Sequence, residues 1–292
     1  MKRIINIIAL LFVVAGLIIL TEPFFRYNDR VKTSSQAVEE FKKLADQLEA
    51  DNSYVEESSG NESHSSNHDS SVAEKSSDDN YDELYKSLVS YNLEQYSNGQ
   101  SELRDAFSYM TSSIDFTDFG LPDDVAGYIT IDKMGVELPL YIGLNQANMA
   151  NGATIMDHTS MPVGGINTNC VIAAHQMAGF FGDIELLSVG DIVKVTNLWG
   201  ELRYRVEKII VIDPYDTDKI KIIPGHDMIT LLTCHPYWSN KTRYIVYCER
   251  TGIGAFGETA LTSEVSGQPA QTSSVTQEQS SVEEKTENDF LP

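Results

Sequence analysis

Basic residues are scarce in this chain. Lys and Arg number 21 against 43 Asp and Glu, a formal net charge of −22 over 292 residues, and the cations form no patch. A nucleic-acid binder needs such a patch to displace the counterions of phosphates, so no nucleic-acid partner is expected. Cysteine is scarce as well. There are three, Cys170, Cys234 and Cys248, with no Cys-x-x-Cys spacing, and the one His-x-x-x-His pair, His64 and His68, lies in a Ser-rich stretch without a Cys nearby. Structural zinc is thereby left without its ligand set. The acidic run Asp213 to Asp218 lacks the Gly and the distal Glu of a twelve-residue calcium loop and reads as a solvated turn. No metal and no cofactor is expected.

Long apolar runs are also few. Residues 4 to 20 form one, apolar except for Asn6, with Lys2 and Arg3 before it and Thr21-Glu22-Pro23 after it. Seventeen residues are enough to span a bilayer at the short end of the range and exceed the usual signal-peptide core. Without a clean small-x-small cleavage site, residues 1–25 read as an uncleaved signal anchor in preference to a removed signal peptide. The basic flank puts the N-terminus inside and the rest of the chain outside the cell membrane.

The remainder divides by composition. Residues 26–50 carry Val38, Phe41, Leu44 and Leu48 at helical spacing, a juxtamembrane helix. Residues 51–79 are Ser, Asn, Asp and Glu with almost nothing large and apolar, an acidic spacer that cannot bury enough surface to fold. Residues 80–117 show helical spacing twice, at Tyr81, Leu84, Leu88 and Tyr91 and at Leu103, Phe107 and Met110. Residues 118–253 hold eight short strand-like runs: 126–131, 137–142, 170–174, 191–196, 202–206, 208–212, 228–233 and 243–248. Turn-like Gly, Pro and Asn separate them, the pattern of a mainly β chain closed into an eight-stranded barrel with short helices. Short helical turns are expected at 145–149 and 184–187. Residues 254–292 are an acidic, Ser- and Gln-rich tail without a sustained apolar run.

Chemistry concentrates at the end of the barrel segment. Thr230-Leu231-Leu232-Thr233-Cys234 is a β-prone run, His235 to Thr242 is loop-like, and Arg243 opens a second run through Cys248. In the hairpin this implies, Cys234 and Arg243 lie side by side at one end of a sheet. A guanidinium beside a thiol favours the thiolate. His175 ends another short apolar run, Val171 to Ala174, and so also sits at a strand end. Cys, His and Arg so placed suit acyl transfer: a thiolate attacks a carbonyl, an imidazole moves the proton, and a guanidinium holds the oxyanion.

Thr230 to Cys234, with Pro236-Tyr237 and Arg243, resembles the TLxTC signature of the sortases, and Gly127 to Ile131, Thr159 to Thr168 and the His175 strand agree with it in order. The TLLTC-x-PY form is similar to class C, the pilus-assembling type. That resemblance implies a β-barrel cysteine transpeptidase acting on LPxTG-like sorting signals of surface proteins or pilins. In it Cys234, His175 and Arg243 are catalytic, and Thr233, Leu232 and His158 stand beside the substrate or behind the catalytic groups. Class C sortases also carry a lid whose Asp-Pro-aromatic tripeptide fills the cleft. Asp105-Ala106-Phe107 is similar with Ala for Pro, which permits either a lid or an ordinary amphipathic helix with Phe107 in the core. Many class C members carry a second membrane helix where this tail lies, and the tail departs from them in having no sustained apolar run. Two alternatives stand beside it: a housekeeping sortase joining surface proteins to cell-wall peptide, and a non-catalytic β-barrel binding module.

The other histidines and cysteines compete for these roles. Of six histidines, His64 and His68 lie in the spacer, His226 in a turn, and His235 next to Cys234, where neighbouring side chains point apart. His158, beside Asp157, is the rival to His175. Strand parity sets Cys248 opposite Arg243 and Cys170 opposite His175, so these two cysteines read as buried small residues or a pair with each other.

Overall fold

The computed structural model describes residues 2–58, 77–105, 125–237 and 239–251. Eight strands close a barrel: β1 (Val125–Ile131), β2 (Val136–Ile142), β3 (Ala153–Ile155), β4 (Thr168–Ala173), β5 (Ile192–Asn197), β6 (Gly200–Ile212), β7 (Asp227–His235) and β8 (Thr242–Arg250). Around the barrel the order is β1-β2-β3-β4-β7-β8-β6-β5, and β5 pairs back onto β1. Two pairs, β2 with β3 and β4 with β7, are parallel; the rest are antiparallel.

The expected barrel is present, but its eight strands are not the eight expected runs. The runs at 202–206 and 208–212 are one strand, β6, whose register against β8 shifts between Val206 and Lys208. Glu207 is the extra residue of a bulge, which flips the inward phase and looks like a strand break in the sequence. The eighth strand is β3, three buried residues too short to show any periodicity. The helical turn at 145–149 is α3 (Gln146–Asn151), capped by the Asn145 side chain, which accepts from Asn148 N. That at 184–187 is a 3-10 helix, Phe181–Leu186.

Two apolar clusters follow from the alternation. One takes Cys170, Ile172, Ala174, Ile229, Leu231, Val246 and Cys248; the other takes Val171, Ala173, Met228, Leu232, Ile245 and Tyr247 from the same three strands, with Leu103, Met149 and Ile220 laid over them. The parity that separates Cys170 and Cys248 from the reactive face therefore holds. Both cysteines register with Ile229 from opposite sides, two strand spacings or about 9–10 Å apart. A disulfide needs Cα atoms within about 7 Å, and both thiols are free.

Among the described residues two helices precede the barrel. α1 (Lys2–Ser58) is one continuous helix through the apolar stretch and the amphipathic stretch; α2 (Ser77–Ser97) places Leu84 and Leu88 in the first cluster. Among the described residues no helix is long and apolar enough to cross a membrane. The side chains of residues 4, 5, 7–10, 19 and 20 lie outside the described set. The second helix expected before the barrel, with Leu103, Phe107 and Met110 at helical spacing, lies mostly outside the described residues. Gly99 and Gln100 take left-handed backbone, and Leu103 to Asp105 is irregular; Phe107 and Met110 lie outside the described residues.

Gly127 tests the barrel closure. It faces β5 at a bulge in β1, where a Cβ would drive into the Thr196 carbonyl oxygen. Gly127→Ala should destabilise the domain by about 1–3 kcal/mol in urea unfolding; an unchanged midpoint would contradict the close β1–β5 contact.

Candidate active site

The site is built by register. Cys234 and Arg243 are direct partners across β7 and β8. β4 runs parallel to β7 with Ala173 opposite Leu232, and Ala174 N donates to the Leu232 carbonyl. One residue further, His175 leaves β4 where Cys234 approaches the end of β7. Alternation puts all three on the face of Val171, Ala173, Leu232 and Ile245, since each is an even number of residues from one of these.

The two threonines of the motif fasten this arrangement. Thr230 Oγ1 donates to Asn169 Oδ1 at 2.8 Å, and Thr233 Oγ1 donates to the Ala174 carbonyl at 2.7 Å, each joining β7 to β4. Thr233 is fully buried, and through its hydroxyl it positions the residue before His175. Leu232 is buried in the cluster beneath the site. His158 takes left-handed backbone, and its Nε2 is 3.6 Å from Glu102 Oε2, three residues before Asp105. His235 points away from Cys234 toward Tyr244, its ring centroid 5.6 Å from that ring.

Arg243 is 4% exposed and already engaged. Nη1 donates to the carbonyls of Asn240 and Thr242 at 2.8 and 3.0 Å, which pins the guanidinium to its own hairpin loop. Nε and Nη2 donate to Asp105 Oδ1 and Oδ2 at 3.0 and 2.9 Å. This is a two-pronged Arg–carboxylate pair, the strongest geometry such groups make. The Asp105 carboxylate thus sits on the site's guanidinium, while Ala106 and Phe107 lie outside the described residues.

The segment carrying Asp105 is strapped down along its length. Asn92 of α2 donates to the Met161 carbonyl and accepts from Met161 N at 3.1 and 2.6 Å. Gln100 Nε2 donates to the His158 carbonyl, and Gln100 Oε1 accepts from Ile222 N, at 2.9 and 2.6 Å. Leu103 is buried over the second cluster. Asn92 and Gln100 carried no signal in the sequence, because an amide in a polar helix end looks like a solvated one.

Electrostatics set a neutral resting pair. Burial pushes the Cys234 thiol up, Arg243 pulls it down, and Asp105 pushes it up again; burial prevails. Burial holds His175 below the usual imidazole value, with Arg30 of α1 adding to it. Both directions oppose the thiolate–imidazolium form, so at rest the proton stays on sulfur. Among the described residues no cluster of His, Cys, Asp and Glu could hold a metal.

Comparison with known proteins bears on this geometry. The family model described as Sortase domain matches residues 129–251. Sortase C of Clostridium perfringens SM101 is 33% identical, covering 60% of this chain and 92% of that one, with a TM-score of 0.51. This chain belongs to the sortase family. A lid mutant of Streptococcus agalactiae sortase C1 is 25% identical over 60% of this chain and 91% of its own, with a TM-score of 0.54. Sortase A of Bacillus anthracis is 31% identical over 137 residues, 45% of this chain, and the chain spans 62% of that relative's length. Sortase membership places the TLLTC strand, Thr230 to Cys234, and its Arg243 partner inside the matched segment.

Asp105→Asn should lower the pH at which Cys234 is alkylated by iodoacetamide, because it removes a negative charge that opposes the thiolate. Arg243→Gln should raise it, because it removes the positive one. Cys170 and Cys248 are buried and should not contribute label. A midpoint that ignores both substitutions would remove the electrostatic account.

Proposed function

We propose that this chain is a membrane-anchored cysteine transpeptidase of the pilus-assembling type, with Cys234 as nucleophile, His175 as acid–base group and Arg243 as oxyanion receptor. The observation that carries the reading is the register: Cys234 opposite Arg243, with His175 at the end of the parallel neighbour on the same face. A binding module does not require a thiol, an imidazole and a guanidinium at adjoining strand ends.

The steps follow from the groups present. Asp105 leaves Arg243, and the carbonyl of a Thr–Gly bond in an LPxTG-like sorting signal takes its place. The Cys234 proton passes to His175 as sulfur bonds to the carbonyl carbon, and the oxyanion falls to Arg243. The C–N bond breaks as His175 gives that proton to the leaving amine, leaving a thioester. An incoming amine, a pilin Lys in this reading, attacks the thioester; its proton goes to His175 and then to the departing Cys234 sulfur. An isopeptide bond remains. No cofactor enters.

Asp105 acts as a lid residue in this scheme. Its two hydrogen bonds to a charged partner, about 1.5–3 kcal/mol each, must be exchanged for those of the substrate. The likeness to a sortase C1 whose lid was mutated supports this part of the reading. The N-terminal apolar stretch serves as the anchor, which leaves the barrel extracellular. Leu11, Phe12, Val13, Val14, Leu17 and Ile18 are exposed along α1, as lipid-facing side chains would be. A housekeeping role on cell-wall peptide is the second reading, favoured by the likeness to a Sortase A.

The test is mass spectrometry of the full chain in detergent after incubation with an LPETG peptide, with and without a Lys-containing pilin peptide. An acyl adduct on Cys234, absent in Cys234→Ala and resolved onto the pilin Lys, is expected. His175→Ala should slow turnover by about 10²–10⁴, and Arg243→Ala by about 10²–10³. Resolution only by wall-type amines would support the second reading, and no adduct even in Asp105→Ala would remove the transpeptidase.

A further inference from the structure

α1 brings to the site a cation that the barrel does not supply. The helix is docked on the barrel by Val38 and Phe41, 1% and 5% exposed, with Phe41 edge-on to Tyr128 of β1 at 6.2 Å. Lys42 adds an ion pair to Glu137 of β2 at 2.8 Å and stands 5.0 Å from the Tyr128 ring centroid. About 12 Å back from Val38 along the same helix, eight residues at the α-helical rise, is Arg30. It is partly buried, and its Nη1 lies 3.7 Å from Met177 Sδ.

Met177 belongs to the turn that follows His175, and the turn is tightly made. Met177 N and Phe181 N both donate to the His175 carbonyl, at 2.9 and 3.1 Å, while the Met177 carbonyl accepts from Phe180 N and Gly182 N, both at 3.0 Å. Gly182 is packed so close that a Cβ would meet the Met177 backbone at 2.6 Å. A side chain that presses on Met177 therefore presses on a small rigid unit containing His175. Its thioether is a weak acceptor for a guanidinium, and among the described residues no carboxylate is recorded within ion-pair distance of Arg30.

We infer that Arg30 is a positioning residue of the active site: it braces the turn that carries His175 and sets a positive charge near the imidazole from outside the barrel, so proton transfer depends on α1 being docked. This rests on the reading of His175 as the acid–base group. The charge acts in a useful direction. A neighbouring cation disfavours imidazolium, and His175 must be neutral to accept the Cys234 proton. The Arg30 contribution adds to that of burial.

The other ionisable groups on elements around His175 include Cys234 and His235 on β7, Arg243 and Tyr244 on β8, Asp105 on the strap, and Asp183 and Glu185 on the 3-10 helix. Asp105 is held by Arg243, and Glu185 lies 3.6 Å from His235 Nε2. On α1 itself Asp29 is exposed. None of the carboxylates among these is recorded as an ion-pair partner of Arg30.

The experiment follows the imidazole resonances of the full chain, isotope-labelled at histidine in detergent micelles, against pH; His175→Gln identifies the signal. In Arg30→Met, which keeps a long apolar side chain, the His175 midpoint should move to higher pH, and in Arg30→Lys it should stay with the wild type. Phe41→Ala, which loosens the docking and leaves Arg30 intact, should move it upward as well. Superimposed titrations of wild type and Arg30→Met would overturn the proposal, as would a change in melting temperature without any change in midpoint. An upward shift in a chain that never forms an acyl adduct on Cys234 would uphold the placement of Arg30 and count against the transpeptidase reading instead.

Discussion

The pairing of β7 with both of its neighbours is the constraint on which the rest depends. Its antiparallel register with β8 sets Cys234 against Arg243, and its parallel register with β4 brings His175 to the same end. Side chains alternate with a period of two, so a slip of one residue in either ladder would turn a catalytic group to the wrong face. The slip is opposed from both sides. Thr230 and Thr233 bond across to Asn169 and Ala174, and Asn169 in turn donates to the Ile220 and Lys221 carbonyls over the barrel surface. The threonines of the motif thus serve registration, and the cysteine that ends it is set opposite Arg243.

A guanidinium placed this way is buried, and a buried cation needs partners. The hairpin loop supplies two carbonyls and the strap supplies a carboxylate. The same desolvation that raises the Cys234 thiol makes the Asp105–Arg243 pair tight, so protection of the resting site and suppression of its reactivity have one cause. Release of Asp105 would free the cation and remove a charge opposing the thiolate together. The strap is fastened at Asn92, Gln100 and Leu103, which holds the segment behind Asp105 in place.

The barrel does not build its site alone. α2 delivers the strap on the Arg243 side, and α1 passes Arg30 to the His175 side. Two elements outside the sheet act on the catalytic groups with opposite signs: a carboxylate against the thiol, a guanidinium against the imidazole. Each favours the neutral form of its neighbour.

Much of this was legible in one dimension because the interactions involved are local or periodic. Cys234 and Arg243 are nine residues apart in a hairpin, and two apolar runs with a polar loop between them suffice to pair them. Alternation likewise set Cys170 and Cys248 apart from the reactive face. The long-range contacts were not legible. Asp105 and Arg243 are 138 residues apart, Arg30 and Met177 are 147, and nothing in a polar segment shows which distant cation or turn it will meet. β3 was missed because three residues hold no period, and β6 was divided because a bulge interrupts the period without ending the strand. By itself, then, the sequence determined the barrel, the hairpin and the pairing of Cys234 with Arg243, through side-chain periodicity and turn chemistry. Only the tertiary structure decided what stands against those side chains, because ion pairing and desolvation depend on distance in space.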